Sequence, residues 1–306
     1  MFLFEHQSRC LHSRLIVFVI STLLSVNAAT AKTDGLKYFR QLDSLRYFTF
    51  TRNKPAVAKY IRIIAKAEPA HYNDLYLMCQ SYVLTGDTAK AARALERAVE
   101  MGLPLMFIQD KSASISGFRI TKERIAAANK KHREFQKLHR ADIDSMLYFL
   151  ANDLKLYGNG NESGHLLKVL SKYIDPNLKS HDALQKILTA YIVRNGWVGY
   201  KQTHRSELLL PVAHLSKANL DMIHSRITQS LHNAEMLPDE YAFIEEKRYQ
   251  HTRYGKPKGC KYAPYGFSCP EKWNPDIKMN RMSIGMSVFF SGNSQEVFLE
   301  DLSLVP

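Results

Sequence analysis

Tyr72-Asn-Asp-Leu-Tyr-Leu-Met-Cys-Gln-Ser-Tyr-Val-Leu-Thr-Gly-Asp-Thr-Ala-Lys-Ala-Ala-Arg-Ala-Leu-Glu-Arg-Ala-Val-Glu-Met-Gly-Leu103 is the stretch that decides the fold class. Leu75, Met78, Cys79 and Tyr82 recur at the spacing of one helix face, Gly86-Asp87 interrupts the run, and Ala91, Leu95 and Ala98 mark a second face. Two short amphipathic helices with small residues where they cross predict an αα-hairpin. Cys79 stands where a small buried residue is wanted, so its expected role is packing rather than reactivity.

These residues follow in order the large, small, aromatic and alanine positions of a tetratricopeptide repeat, which the stretch resembles. It departs from the pattern at Leu75 for the usual Trp, Cys79 for Gly or Ala, and Leu103 for the closing Pro. A shift back by 34 residues finds Phe48, Val57, Ile61, Ile64 and Pro69 at corresponding places, with Gln41 and Ser44 where large residues belong. One full and one partial repeat fall short of the roughly three that bury a solenoid core, so the unit is expected to dock on the rest of the chain. The resemblance implies a ligand-facing groove lined from the first helix by Asn73, Tyr76 and Gln80. Polar and aromatic residues suit a peptide groove and ordinary surface alike.

Further along, Ile143–Leu156, His165–Ile174, Asp182–Val193, Leu208–Asn233 and Glu240–Tyr249 carry helical periodicity, separated at Gly158-Asn-Gly160-Asn and Gly196-Trp-Val-Gly199. Met282–Phe290 and Val297–Leu304, either side of Ser291-Gly-Asn293, predict a small terminal β-hairpin. The expected fold class is mainly α: a tetratricopeptide-like αα-hairpin unit packed on a helical C-terminal domain. The expected division is a signal peptide at 1–31, the repeat-like unit at 32–118, a basic linker helix at 119–140, a helical domain at 141–290 and a tail or strand at 291–306.

The back half offers Asn152-Asp153, Gly196-Trp197, His214, Tyr241-Ala242, Lys247-Arg248, Tyr254-Gly255 and Arg281 with Gly285, in that order. In this it resembles the family catalogued as domain of unknown function 6624, over about residues 141–286. Lys247 stands where members carry an acid before Arg, after Glu245 and Glu246, and Thr252 and Lys256 flank Tyr-Gly. The resemblance implies no particular activity.

At the other end, Arg9 and Arg14 precede the apolar run Leu15–Val26 and the small residues Ala29 and Ala31, the order of a cleavable secretory signal peptide. The apolar core is shorter than the ~20 residues a spanning helix needs. Cleavage after Ala31 would remove Arg9, Arg14 and Glu5, taking 42 basic and 29 acidic residues to 40 and 28, a formal charge of +12. Two segments hold this excess. Lys32–Lys66 has nine Lys or Arg against Asp34 and Asp43, and Arg119–Arg140 has eight against Glu123 and Glu134. Solvated helix faces account for such runs. If they also bind, export excludes nucleic acid and leaves an acidic protein, an anionic envelope polymer or peripheral contact with a membrane surface.

Cys260 and Cys269 flank a Gly- and Pro-rich loop and, in an oxidising compartment, are expected to form a disulfide worth roughly 2–3 kcal/mol. Neither a P-loop, a G-x-S-x-G elbow, an H-E-x-x-H pair nor an EF-hand is present, and no cofactor is implied. His214, His224 and His232 are spaced by ten and eight residues, which does not align them for a metal.

Two functional readings follow. In the first, the chain is an exported binding or scaffolding module for an acidic protein or polymer, with Lys54, Lys59, Arg62, Trp197, Asn73, Tyr76 and Gln80 as contact candidates. In the second, it is a hydrolase-like enzyme acting on an anionic envelope substrate, with His214 as base and Arg248 and Tyr254 as anion binders. A structural histidine, a surface ion pair and a core-plugging Trp197 are the plainer roles for the same residues.

Overall fold

Helix starts are set by side-chain caps. In the computed structural model, which describes residues 34–104, 120–157, 164–250, 261–262 and 275–284, Asp34, Asn53, Asp87, Thr121, Ser180 and Ser216 each accept a hydrogen bond from a backbone N–H in the first turn that follows. The resulting helices are α1 (Gly35–Phe50), α2 (Lys54–Ile64), α3 (Tyr72–Leu84), α4 (Thr88–Glu100), α5 (Lys122–Leu138), α6 (Arg140–Tyr157), α7 (Gly164–Val169), α8 (His181–Asn195), α9 (Tyr200–Thr203), α10 (Leu209–Ala213), α11 (Lys217–His232), α12 (Pro238–Gln250) and α13 (Pro275–Ser283). The fold is mainly α, and the described residues contain no strand.

The hairpin of α3 and α4 turns at Gly86, whose φ of 84° lies in the left-handed region that glycine tolerates, and Asp87 then caps α4. Leu75, Met78, Cys79, Ala91, Leu95 and Ala98 are all buried. Helix α3 packs against α1 and α2 as well as α4, so Asp74 through Tyr82 are buried on every side. Hydroxyls of Thr49 and Ser81, 2.7 Å apart, tie α1 to α3 inside this packing.

A single apolar cluster runs from Tyr38 and Leu45 in α1, through Leu75 and Leu95, to Trp197, Ile223 and Ile244 in the back half. Backbone contact is close where α1 meets the end of α11: a Cβ on Gly35 would lie 2.3 Å from the Leu231 carbonyl oxygen. The described residues gather into one compact unit.

Three expected elements differ, and the first is His165–Ile174, where α7 ends at Val169 and a separate 3-10 turn follows at Ser171–Tyr173. The periodic run Leu208–Asn233 is two helices, because the Ser216 hydroxyl captures the Asn219 N–H and starts α11 afresh, leaving His214 as the C-cap of α10 rather than inside a helix. Of the expected terminal hairpin, Met282 and Ser283 close α13; the remainder lies outside the described residues.

Candidate functional site

The two basic segments, alike as sequence, have different surroundings. In α5, Arg124 pairs with Glu96 and Lys131 with Glu100, both carboxylates on α4, while Lys130 pairs with Glu134 within the helix and Arg140 with Asp144 in α6. Much of that charge is matched locally. In α1 and α2, Lys37, Arg40, Lys54, Lys59 and Arg62 are exposed and have no carboxylate partner among the described residues.

Three of these five, Lys37, Arg40 and Lys59, line an open depression of about 450 Å³ between α1 and α2, together with Asp34, Gln41, Ser44, Tyr60 and Ile63. Gln41 and Ser44, the polar residues at positions where the repeat pattern has large ones, are thus part of its wall. Tyr60 is braced by a stacked contact with Phe48 at 5.4 Å. Arg40 donates from Nε and Nη2 to the carbonyls of Met282 and Ser283, each at 3.3 Å, which orients the guanidinium without neutralising it.

The remaining sequence candidates fall in separate surroundings. Tyr76 and Gln80 are buried, at 9% and 5% exposure, and Asn73 is half-buried, so neighbouring helices cover the face that a solenoid would leave open. Trp197 is 1% exposed, and its Nε1 donates to Glu240 Oε2 at 3.2 Å. Gly199 is required beside it, since a Cβ there would meet the indole nitrogen at 2.4 Å.

Burial pushes the Glu240 carboxyl up to about 7, against the N–H donors of Leu237 and Trp197 that favour its ionised form. Burial likewise pushes the Cys79 thiol up to about 12, which keeps it unreactive.

Arg248 is engaged in ion pairs: Nε lies 2.6 Å from Asp221 and Nη1 3.2 Å from Glu245, which also meets His224 at 2.9 Å and Lys261 at 3.5 Å. The neighbouring Glu246 is buried and accepts the backbone N–H groups of Lys261 and Tyr262, each at 2.9 Å. This cluster has the chemistry of a structural clamp on residues 261–262.

His214 has a different partner. Its Nδ1 sits 2.8 Å from Oδ2 of Asp153, whose side chain is 2% exposed. No polar contact of His214 is shared with Arg248. Tyr254, Cys260 and Cys269 lie outside the described residues.

Sequence reasoning missed Asp153 as the partner of His214. The available signal was two polar residues, Asn152 and Asp153, ending the buried run Phe149-Leu150-Ala151 on α6. Asn152 is spent on structure: Nδ2 donates to the carbonyls of Tyr148 and Tyr173, and Oδ1 accepts from Asp175 N.

A second unforeseen cluster joins the front helices to α9. His132 and His204 meet Nδ1 to Nδ1 at 3.1 Å, and Phe135 stacks on the His204 ring at 3.8 Å. Burial and the neighbouring His132 and His139 push His204 down to about 4. Among the described residues no group of three or more His, Cys, Asp or Glu could hold a metal, and no helix is long and apolar enough to cross a membrane. The chain matches no family model, no curated protein and no solved structure.

Proposed function

We propose that this protein is an exported binding module whose tetratricopeptide-like front engages an acidic protein or anionic polymer of the cell envelope through α1 and α2. The observation that carries the reading is the contrast in charge matching. Arg124, Lys130 and Lys131, half of the six cations of α5, pair with Glu96, Glu134 and Glu100, whereas Lys37, Arg40 and Lys59 line an open depression with no ion pair of their own among the described residues. Three cations gathered about one carboxylate, Asp34, leave a positive excess that raises the local potential and draws in an anionic partner, with an on-rate that falls with salt. The run Leu15–Val26 followed by Ala29 and Ala31 supports export, and export in turn favours envelope acids over nucleic acid.

The test is direct binding of a polyglutamate probe, at low and high salt, to the parent, to Lys37→Glu/Lys59→Glu and to Lys130→Glu/Lys137→Glu. All four positions are exposed, so both variants should fold. Loss of salt-sensitive binding in the α1–α2 variant alone is the expected result. Equal losses in the two variants would reduce the effect to net charge and overturn the assignment.

A further inference from the structure

Asp153 and His214 form a pair whose geometry exceeds what a buried carboxylate needs for neutralisation. An ionised carboxylate only accepts hydrogen bonds, so the 2.8 Å contact requires the proton on His214 Nδ1 and leaves the Nε2 lone pair bare. Asp153 is sealed, at 2% side-chain exposure, while the His214 side chain is 34% exposed. The orienting group is therefore inside, and part of the histidine side chain is open to solvent.

The histidine backbone is pinned as well. Its carbonyl accepts from the Tyr157 hydroxyl and from Gln185 Nε2, each at 3.3 Å, and Gln185 Oε1 takes the N–H of Ser216 at 3.0 Å. Helices α6 and α8 thus both hold the His214 carbonyl. Its ring stands beside that of Tyr157 at 4.5 Å, and His181 lies 3.8 Å from Tyr157, so three partly exposed rings are in mutual contact through Tyr157.

We propose that His214, positioned by Asp153, is a general acid–base catalyst for hydrolysis of a neutral carboxylic ester bound against the Tyr157 and His181 rings. Nε2 removes a proton from a water as the water oxygen bonds to the ester carbonyl carbon. The tetrahedral adduct then collapses, its bond to the alcohol oxygen breaks, and the imidazolium returns the proton to the departing alkoxide. Ester and water become acid and alcohol, while Asp153 stays ionised and offsets the transient positive charge.

A neutral substrate follows from the surroundings. Among the described residues no Lys or Arg makes a hydrogen bond or ion pair with Asp153, Tyr157, His181, Gln185 or His214, so no cation is held in place for a phosphoryl dianion, and Arg248 is held by Asp221 and Glu245. The site is separate from the basic depression and does not depend on the binding reading.

The experiment compares hydrolysis of p-nitrophenyl acetate and p-nitrophenyl phosphate by the full chain, His214→Gln and Asp153→Asn, with thermal melts to confirm folding. Ester turnover that falls roughly 10²-fold in His214→Gln is expected. Asp153→Asn should lower kcat with little change in KM, since it removes orientation rather than binding. Equal ester rates in parent and His214→Gln would overturn the proposal, as would His214-dependent turnover of the phosphate in place of the ester. If Asp153→Asn fails to fold, the parent decides alone: ring ¹⁵N spectra must show the Nδ1–H tautomer at His214, and an Nε2–H tautomer refutes the geometry.

Discussion

Glu240→Gln is a perturbation whose effect can be worked out with its sign. Burial raises the Glu240 carboxyl from 4.5 to about 7, and the adjacent Asp239 charge adds to the rise. Between those two values the unfolded chain has released the proton and the folded chain retains it. The stability tied to that proton is fully present below pH 4.5 and is lost as pH rises through about 7. At about 1.4 kcal/mol per tenfold change in proton affinity, the total is about 3 kcal/mol. Glutamine keeps an oxygen for the N–H groups of Leu237 and Trp197 but cannot ionise. Relative to the parent, the variant should therefore be about 3 kcal/mol better off at pH 8 than at pH 4.5, whatever its cost at the lower pH. Urea unfolding followed by far-UV circular dichroism at the two pH values measures this double difference. Asp74, also raised by burial, is present in both proteins. A variant-to-parent difference that does not change with pH would show that Glu240 ionises in the folded state at its ordinary value, and would refute the reasoning.

His204, held near 4 by burial with the His132 and His139 charges adding to the effect, contributes stability that is present above its ordinary 6.5 and lost as pH falls toward 4. His204→Asn removes the imidazole while tolerating the left-handed φ of 57°, so its urea midpoint should fall less between pH 7 and pH 5 than that of the parent. Gly35→Ala should gain helix propensity yet lose about 1–3 kcal/mol net, because the new Cβ would press on the backbone of Leu231 and Ala234 rather than on a movable side chain. An unchanged thermal melt would mean that α1 and the end of α11 are not in that contact.

The hairpin of α3 and α4 was legible because every signal that makes it is local: apolar positions at helical spacing, a glycine that turns and an aspartate that caps. The break before α11 has a local cause too. The Ser216 cap competes with a continuous apolar periodicity, and periodicity alone reads straight through it. What had no local signature was pairing. The neutralisation of α5 depends on Glu96 and Glu100 one helix away, and the orientation of His214 depends on Asp153, 61 residues earlier. A count of charges along the chain treats both basic segments alike, and only their packing shows that the second has more of its cations in ion pairs than the first.

The apolar positions of α3 and α4 are buried, and so are Tyr76 and Gln80, two of the three positions expected to line an open groove. In a solenoid the first helix of a hairpin keeps one face open because identical units stack on either side. Here α3 is the central element of the front unit, covered by α1 and α2 as well as α4, so Tyr76 and Gln80 serve the interior. The polar substitutions that weaken the earlier half-repeat, Gln41 and Ser44, then acquire a role: they stand on the wall of the depression that Lys37, Arg40 and Lys59 make positive. Large apolar residues there would fill the space between α1 and α2 and remove the concavity. The same departures that make the chain a poor solenoid therefore give it a small, charged recess, which is why the proposed contact lies on α1 and α2 rather than on the face where the repeat pattern puts it.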